Sequence, residues 1–317
     1  MKDITAIGEI LIDLTQTGRT DQGVPTFAAN PGGAPANVAV AASRLGSSTA
    51  FIGKLGRDSF GSYLREVLDE NHVDHSGLQE SDTPTTMAIV SVDEKGERSF
   101  RFLRGADCEM VPEDVDEDLA QNSKILHFGS VSLTQGVARS ATIFTARAAH
   151  RSGMLVSYDP NYRPALWRTE KDALEWMNLP LPLVDIIKLA EEELPLLLLG
   201  QRDLEEGSRQ LEDDHNVRLV MITMGERGVF CRWEGETFTV PGVPVDHVAD
   251  TNGAGDTFMG AVLSRLCRRG EHPLEGLKRP ELEEILAFAN RAAALVCTRS
   301  GAIPAMPTLA EVEDFGN

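Results

Sequence analysis

Val248-Ala249-Asp250-Thr251-Asn252-Gly253-Ala254-Gly255-Asp256-Thr257-Phe258 is the stretch on which the reading of this chain turns. A short acidic strand end leads into Gly-Ala-Gly, then an aspartate, then an apolar-periodic run that predicts a helix. The two glycines let consecutive backbone N–H groups turn toward one point without interference from a Cβ. That point lies at a helix N-terminus, where partial positive charge favours an anion. Asp256 stands in the first turn and can face the same point. Donors converging on developing negative charge, with a carboxylate beside them, suit transfer of a phosphoryl group to a hydroxyl. Taken alone, the segment reads equally as a capped helix whose aspartate only complements the macrodipole.

Working outward, apolar strand-like runs alternate with amphipathic helical stretches. Residues 6–12, 50–53, 124–128, 154–158, 186–189 and 219–223 read as strands, and 37–45, 60–71, 138–152 and 203–215 as helices. That rhythm predicts an α/β fold, a mostly parallel sheet with helices on both faces. It breaks at 85–93 and 98–103, two strand-like runs joined by Glu94-Lys95-Gly96-Glu97, which has the chemistry of a hairpin turn. Residues 15–29 are similarly polar and extended. Together these segments, roughly 14–30 and 85–104, predict a small antiparallel β lid over a site at the carboxyl ends of the strands. No repeat or linker marks a second domain, so residues 1–317 are expected to form one.

The bulk composition excludes several classes of partner. A formal charge of −19 over 317 residues disfavours nucleic acid and anionic membrane surfaces, both of which need clustered Lys and Arg. A phosphate-bearing ligand remains compatible through a local nest, a few cations or a metal ion. Cys108, Cys231, Cys267 and Cys297 are widely spaced, with no CxxC pair. They read as small buried residues in a reducing compartment. The opening Met1-Lys2-Asp3 runs into an apolar segment carrying Glu9 and Asp13, which reads as a strand and not as a leader. The longest leucine run, 196–199, is too short to span a bilayer. A cytoplasmic protein is expected.

Two earlier features add polar chemistry. Gly32 and Gly33 precede Ala34-Pro35-Ala36-Asn37, a turn into the first helix that lets a ligand approach the backbone, with an amide beside it that donates and accepts. Asp13, at the end of the first strand, is a carboxylate suited to neighbouring hydroxyls of a sugar.

The stretches "PGGAPANVAVAASRLG…FIGKLGRDSFG" from Pro31 to Gly61 and "DTNGAGD" from Asp250 to Asp256 resemble the two signatures of the ribokinase-like, phosphofructokinase B-type sugar kinases. "SYDPNYRPALW", "IIKLAEEEL", "TMGERGV" and "FANRAAALVCTRSGAIPAMP" extend the resemblance over nearly the whole chain, in a combination most similar to bacterial fructokinases. The resemblance implies a ribokinase-like three-layer core and an ATP-dependent sugar kinase, with fructose as acceptor. By the family's pattern, Asp256 is the base for the attacking hydroxyl, and the amides of Gly253, Ala254, Gly255 and Asp256 form the anion hole. Asp13, Gly33 and Asn37 hold sugar hydroxyls. Lys188, Thr223, Gly225 and Gly228 flank the nucleotide phosphates and ribose, and Asn290 lies against the adenine. Arg104 in the lid and Arg163 are the cations expected to reach the substrate, whereas Arg98 and Arg101 read as surface charge.

Magnesium is expected on general grounds, because it bridges the β- and γ-phosphate oxygens. The family positions it largely through water with an Asn-x-x-Glu motif. This chain has Ala190 at the asparagine position, which leaves Glu193 as the matching glutamate and Glu192 as its competitor. The resemblance also implies potassium at Asp250, with carbonyls of Asn252, Val296, Arg299 and Gly301, and a homodimer. Two other readings stand beside fructokinase. One is a kinase for 2-keto-3-deoxygluconate, whose carboxylate calls for an extra arginine in the lid or near Arg163. The other is a non-catalytic sugar-binding regulator on the same fold. A dinucleotide fingerprint at Gly253 is disfavoured by Phe258 and by its late position, and no Walker-type loop is present.

Overall fold

The computed structural model describes residues 1–92 and 98–315. In chain order its strands are β1 (Lys2–Ile7), β2 (Leu11–Arg19), β3 (Pro25–Gly32), β4 (Thr49–Gly56), β5 (Asp74–Ser81), β6 (Met87–Val92), β7 (Arg98–Leu103), β8 (Ser123–Gly129), β9 (Leu155–Asp159), β10 (Ile186–Ala190), β11 (Leu219–Thr223), β12 (Val229–Trp233) and β13 (Glu236–Val240). The helices are α1 (Ala34–Arg44), α2 (Ser59–Glu70), α3 (Glu117–Gln121), α4 (Gly136–Arg151), α5 (Glu170–Asn178), α6 (Leu194–Leu197), α7 (Leu204–His215), α8 (Ala254–Cys267), α9 (Arg279–Cys297) and α10 (Leu309–Asp314).

Nine strands form one sheet in the order β13-β12-β11-β10-β9-β8-β1-β4-β5 among the described residues. Pairing is parallel from β5 through β11, and β12 and β13 close that edge as an antiparallel hairpin. Successive side chains of a strand point to opposite faces, and the core follows that period. Ile186, Leu219 and Met221 pack with α8 and α9, whereas Ile187, Val220 and Ile222 pack with α4 and α7. Strands buried on both faces read as continuous apolar runs, which is why they were legible in the sequence. Among the described residues no helix is long and apolar enough to cross a membrane. The four cysteines form no disulfide.

The first strand departs from expectation. Residues 6–12 do not form one strand: β1 ends at Ile7 in the large sheet, and β2 begins at Leu11 in a second, four-stranded sheet. The break falls at Gly8-Glu9-Ile10, with Gly8 at φ 147°. Asp13 therefore stands in the small sheet, on β2. An unbroken apolar run conceals the handover, because both strands bury their residues there.

The small sheet has the order β3-β2-β6-β7. It consists of two antiparallel hairpins, β2–β3 and β6–β7, joined by a parallel pairing of β2 with β6 that sets Ile12 beside Met87. The turn at Glu94 to Glu97 lies outside the described residues. Where the chain leaves the large sheet for β6, Asp58 takes three hydrogen bonds: from the Gly61 N–H, the Thr85 N–H and the Thr85 hydroxyl, each at 2.8 Å. Where it returns, the Thr86 hydroxyl accepts from the Gly105 N–H at 2.6 Å and donates to Asp107. The "GRDSFG" part of the first signature thus anchors the base of the small sheet.

Candidate active site

The order in which the chain adds strands reverses about β1, with β4 on one side and β8 on the other, and the site lies beyond the carboxyl ends of these parallel strands. Helix α8 packs against α1 closely enough that a Cβ on Gly260 would lie 2.7 Å from that of Ala41. Their N-termini converge as a result. Asp256, in the first turn of α8, accepts a hydrogen bond from Asn37 Nδ2 of α1 at 2.8 Å, and its other oxygen accepts from Asn161 Nδ2 at 3.4 Å. Gly253 caps the helix with φ 78°, a left-handed conformation that favours glycine. The Ala254 N–H turns back to the Thr251 carbonyl at 3.3 Å, and those of Gly255 and Asp256 have no acceptor within the helix at this position. Burial pushes the Asp256 carboxyl above the usual aspartate range; the Asn37 bond, Lys188 and Arg163 pull it down, and Asp159 pushes it up. Such a carboxylate holds a proton better than an exposed one.

Lys188 forms the floor. Register sets Ile187 of β10 beside Tyr158 of β9, which brings Lys188 level with Asp159, and Nζ lies 2.9 Å from Asp159 Oδ2 with both side chains buried. Burial opposes the ammonium, yet Asp159, Glu193 and Asp256 around it hold its pKa above the ordinary lysine value. Its Nζ reaches the first turn of α8: a Cβ built on Gly255 would lie 2.8 Å from it. The glycine therefore admits a cation under the same amides that open the helix. Beneath lies His127, bonded through Nδ1 to the Ser157 hydroxyl at 3.0 Å and pushed down to about 4 by burial, so it is neutral.

Glu193 is buried, not part of a solvated helix start. Its Oε1 accepts from the Tyr162 N–H at 2.5 Å and its Oε2 from the Ala190 N–H at 2.7 Å. It closes the turn after β10 and fixes the segment carrying Asn161 and Arg163. Glu192 lines a separate surface depression, and Glu191 pairs with Arg227. No cluster of three His, Cys, Asp or Glu able to hold a metal ion occurs among the described residues. Any magnesium that Glu193 serves is reached by its remaining lone pairs, which fits a water-mediated role.

Beside Asp256 a small cavity of about 60 Å³ opens, lined by Asp13, Gly33, Asn37, Asn161, Arg163 and Asn252 among others. Leu11 of β2 and Phe102 of β7 make its apolar walls, and β7 also reaches the turn at Pro164–Leu166. Gly33 has φ 107°, and a Cβ there would lie 2.5 Å from the Glu9 carbonyl, so no other residue fits this turn into α1. Burial pushes Asp13 up to about 6; Arg163 and a hydrogen bond from the Asn252 side chain pull it down, while Asp256 and Asp250 push it up. Asn37 Oδ1 is buried with no partner. Arg163 bonds the carbonyls of Tyr162 at 3.2 Å and Asn161 at 3.4 Å and lines the cavity. The site therefore offers carboxylate and amide acceptors, amide donors and one guanidinium, the mixed hydrogen bonding that a polyol needs.

Arg104 is differently placed from a lid finger. Its guanidinium is engaged at the base of the small sheet, with Asp107 at 2.6 Å, the Thr134 hydroxyl at 2.9 Å and the Val131 carbonyl at 3.4 Å. Arg101 is exposed, and the side chain of Arg98 lies outside the described set.

At the end of β11, the Thr223 hydroxyl donates to the Leu189 carbonyl at 3.2 Å. Gly225, φ 59°, faces open space, whereas a Cβ on Gly228 would lie 2.2 Å from the Val240 carbonyl, so Gly228 is required for packing against the exit of β13. Asn290 is buried, and its Nδ2 donates to the carbonyls of Pro241 at 2.8 Å and Val240 at 3.2 Å. It tethers the segment after β13. Asp250 accepts from the Asn252 N–H at 2.8 Å and the Gly301 N–H at 3.2 Å, which brings the loop before α8 and the loop after α9 together.

The family model for pfkB carbohydrate kinases matches residues 1–309. The chain belongs to this family. It is 39% identical to an Arabidopsis thaliana protein named probable fructokinase-6, chloroplastic, over 98% of this chain and 81% of that protein. Among solved structures it is similar to a fructokinase from Xylella fastidiosa with bound ATP, with TM-score 0.91 and 32% identity over 99% of this chain and 98% of the other. A double mutant of the fructokinase from Vibrio cholerae O395, in a form with fructose, ADP and potassium bound, gives TM-score 0.88 and 32% identity over 100% and 99% of the two chains. This pfkB-family chain is an ATP-dependent sugar phosphotransferase with a ribokinase-type fold.

Four site residues escaped the reading of the sequence: Glu9, Asp159, Asn161 and Asn252. Glu9 lies inside an apolar run that reads as one strand. Asp159 and Asn161 stand in "DPNYRPALW", where the charge of Arg163 is the stronger local signal. The family pattern assigns Asn252 a role only through its carbonyl.

Proposed function

We propose that this chain transfers the γ-phosphoryl group of ATP to the primary hydroxyl of fructose, giving fructose 6-phosphate. The observation that carries the reading is the meeting of Asp256, Asn37 and the α8 amides beside a polyol-suited cavity with Lys188 beneath it. Relatives at 37–39% identity across the chain, named fructokinases, support the choice of sugar. In this reading Asp256 takes the proton as the sugar oxygen bonds to phosphorus and the bond to the leaving β-phosphate oxygen breaks, its electrons staying on ADP. Lys188 and the amides of Gly255 and Asp256 hold the charge that spreads over the transferring group. Magnesium bound with the nucleotide neutralises phosphate charge. Asp13, Asn37 and Asn252 orient the hydroxyls, and the small sheet, part of a single domain with the core, shields the reaction from water.

A 2-keto-3-deoxygluconate kinase is the weaker reading. A substrate carboxylate needs a cation beyond Arg163, yet Arg104 is already paired with Asp107, and Glu9, Asp13 and Asp256 line the cavity. We also propose potassium activation at Asp250, whose position between Asn252 and Gly301 supports it.

The test is sugar-dependent ADP release with MgATP, comparing fructose, 2-keto-3-deoxygluconate, ribose and adenosine in potassium and in tetramethylammonium buffers. Fructose is expected to give the highest kcat/KM, and potassium to raise it. Preference for another acceptor overturns the assignment of the sugar, and equal rates in the two buffers overturn the potassium site. We further propose a homodimer joined through the small sheets, where Val24, Phe27 and Leu103 are exposed. Light scattering at twice the chain mass is the expected result, and a monomer mass excludes it.

A further inference from the structure

A groove runs between α4 and α5, on the side of the large sheet opposite α8 and α9. It shares no lining residue with the cavity beside Asp256. Arg139, Arg147 and Arg151 of α4 line it, over an apolar floor that includes Ile143, Phe144 and Trp176. Arg139, Ile143, Arg147 and Arg151 follow at four-residue intervals. One face of α4 therefore presents cations over three turns, about 18 Å. The groove encloses about 560 Å³, within the range of small-molecule clefts, and no carboxylate lines it.

That last property is unexpected in a chain with 49 acidic side chains and 30 lysines and arginines. On α7 and α9 exposed arginines are matched: Arg209 pairs with Glu206 and Asp213, and Arg279 with Glu236 and Glu283. In the depression adjoining the groove, Arg168 pairs with Asp172 at 3.0 Å. Arg147 and Arg151 are exposed, and among the described residues neither makes a hydrogen bond, an ion pair or a ring contact. Arg139 is held in place: its Nε donates to the Leu133 carbonyl at 2.7 Å, and its guanidinium lies 3.5 Å from the centre of the Trp176 ring. Glu175 attracts Arg139 from α5 but does not line the groove. The helix macrodipole accounts for Arg151, in the last turn of α4. Its effect fades within that turn and leaves Arg147 and Arg139 unexplained.

Like charges four residues apart on a helix repel, and their side chains are neighbours, with Cβ atoms about 5–6 Å apart. One anion can therefore answer both Arg147 and Arg151. A guanidinium fork matches phosphate oxygens, and a doubly charged phosphate balances two cations where a carboxylate balances one. The apolar floor suits an organic body attached to that phosphate. A protein partner fits less well, because ten residues line the groove and a stable protein interface engages about 20–30 a side. We propose that the groove is a second ligand site, for a small phosphate monoester, with its phosphate on Arg147 and Arg151 and its body on Phe144 and Trp176. This site is independent of which sugar the active site accepts.

The test is calorimetric titration with AMP, fructose 6-phosphate and inorganic phosphate, at one ionic strength, with excess fructose and ADP present to fill the active site. Parent chain and Arg147→Gln/Arg151→Gln are compared. Glutamine is a good helix former at these exposed positions, so the fold and kcat on fructose should be unchanged. At least one ester is expected to bind the parent more tightly than inorganic phosphate does, and the double variant should weaken it about tenfold or more. Arg147→Lys/Arg151→Lys keeps both charges and loses the forks. Its affinity should fall between the other two, and it stands in if the glutamine variant does not fold. Three results overturn the site. Neither ester binds the parent; or the esters bind no better than inorganic phosphate, which means a diffuse basic surface only; or parent and double variant bind equally, which places the ligand elsewhere.

Discussion

Replacing Asp256 with asparagine is expected to lower kcat on fructose by roughly 10²-fold or more, the usual scale for a positioned acid–base group and equal to about 2.7 kcal/mol of barrier. The geometry sets how the loss divides. Asn37 Nδ2 lies 2.8 Å from Asp256 Oδ2, and an asparagine can present its own oxygen to that donor, so α1 and α8 stay together. What disappears is the acceptor for the substrate proton and one negative charge beside Lys188 and Arg163. KM for the sugar should therefore change far less than kcat. Stability should not fall, and the sign follows from burial. The folded pKa of Asp256 is raised above its unfolded value, so its ionised form costs stability once pH exceeds the unfolded value. An uncharged asparagine avoids that cost. Parent and variant melting temperatures at pH 8 should be equal, or the variant higher. Turnover within about threefold of the parent would remove Asp256 from the role of base.

The second large effect is expected at Lys188. Lys188→Met removes the cation that lies 2.9 Å from Asp159 and leaves Glu193 and Asp256 in the same buried region. Removing one partner of a buried ion pair typically costs about 3–5 kcal/mol, because an uncompensated charge remains. The pKa values of Glu193 and Asp256 are already raised by burial, with Lys188 pulling both down. Without the lysine they rise further, and the folded chain binds more protons than the unfolded one between the two sets of pKa values. Stability of the variant must then fall as pH increases through that window. Melting temperatures of parent and variant should lie closest near pH 5 and diverge toward pH 8. Activity should drop as well, with a higher KM for ATP and a lower kcat, since Nζ sits under the α8 amides. The double variant Lys188→Met/Asp159→Asn should regain much of the stability and none of the activity. A single variant as stable as the parent at pH 8 would refute the part assigned to the pair.

Much of the fold was legible because its signals are local. The strands at 124–128, 154–158, 186–189 and 219–223 are apolar runs of parallel-sheet type; three fall within observed strands, and the run at 154–158 starts one residue before β9. The glycines before α8 and α1 announced turns that need their conformations, and the polar hairpins at 14–30 and 85–104 announced the second sheet. The handover at Gly8-Glu9-Ile10 was not legible, since both strands bury the residues around it. Nor was the β12–β13 hairpin at the edge of the large sheet, which carries its signal in a short Glu234-Gly235 turn.

The candidate site was legible in part, and the division follows the range of the interactions. Asp256, Asn37, Asp13 and Gly33 were chosen by residue type and by their place at helix starts or strand ends, and the fold brings all four to one cavity. Gly228, Asn290 and Glu193 follow from the family resemblance and Arg104 from its place after Phe102-Leu103, and the structure engages each with neighbouring protein groups whose identity no local pattern reveals. Sequence by itself determined the α/β alternation, the two glycine-opened helices and the acidic character of the chain, because backbone preference and hydrophobic period are properties of consecutive residues. Tertiary structure alone decided that Asn37 bonds Asp256 across a separation of 219 residues, that Asp159 neutralises Lys188, and that Glu9 bonds the start of α1. Desolvation and charge pairing depend on which groups packing brings within a few ångströms, and only the folded chain sets those distances.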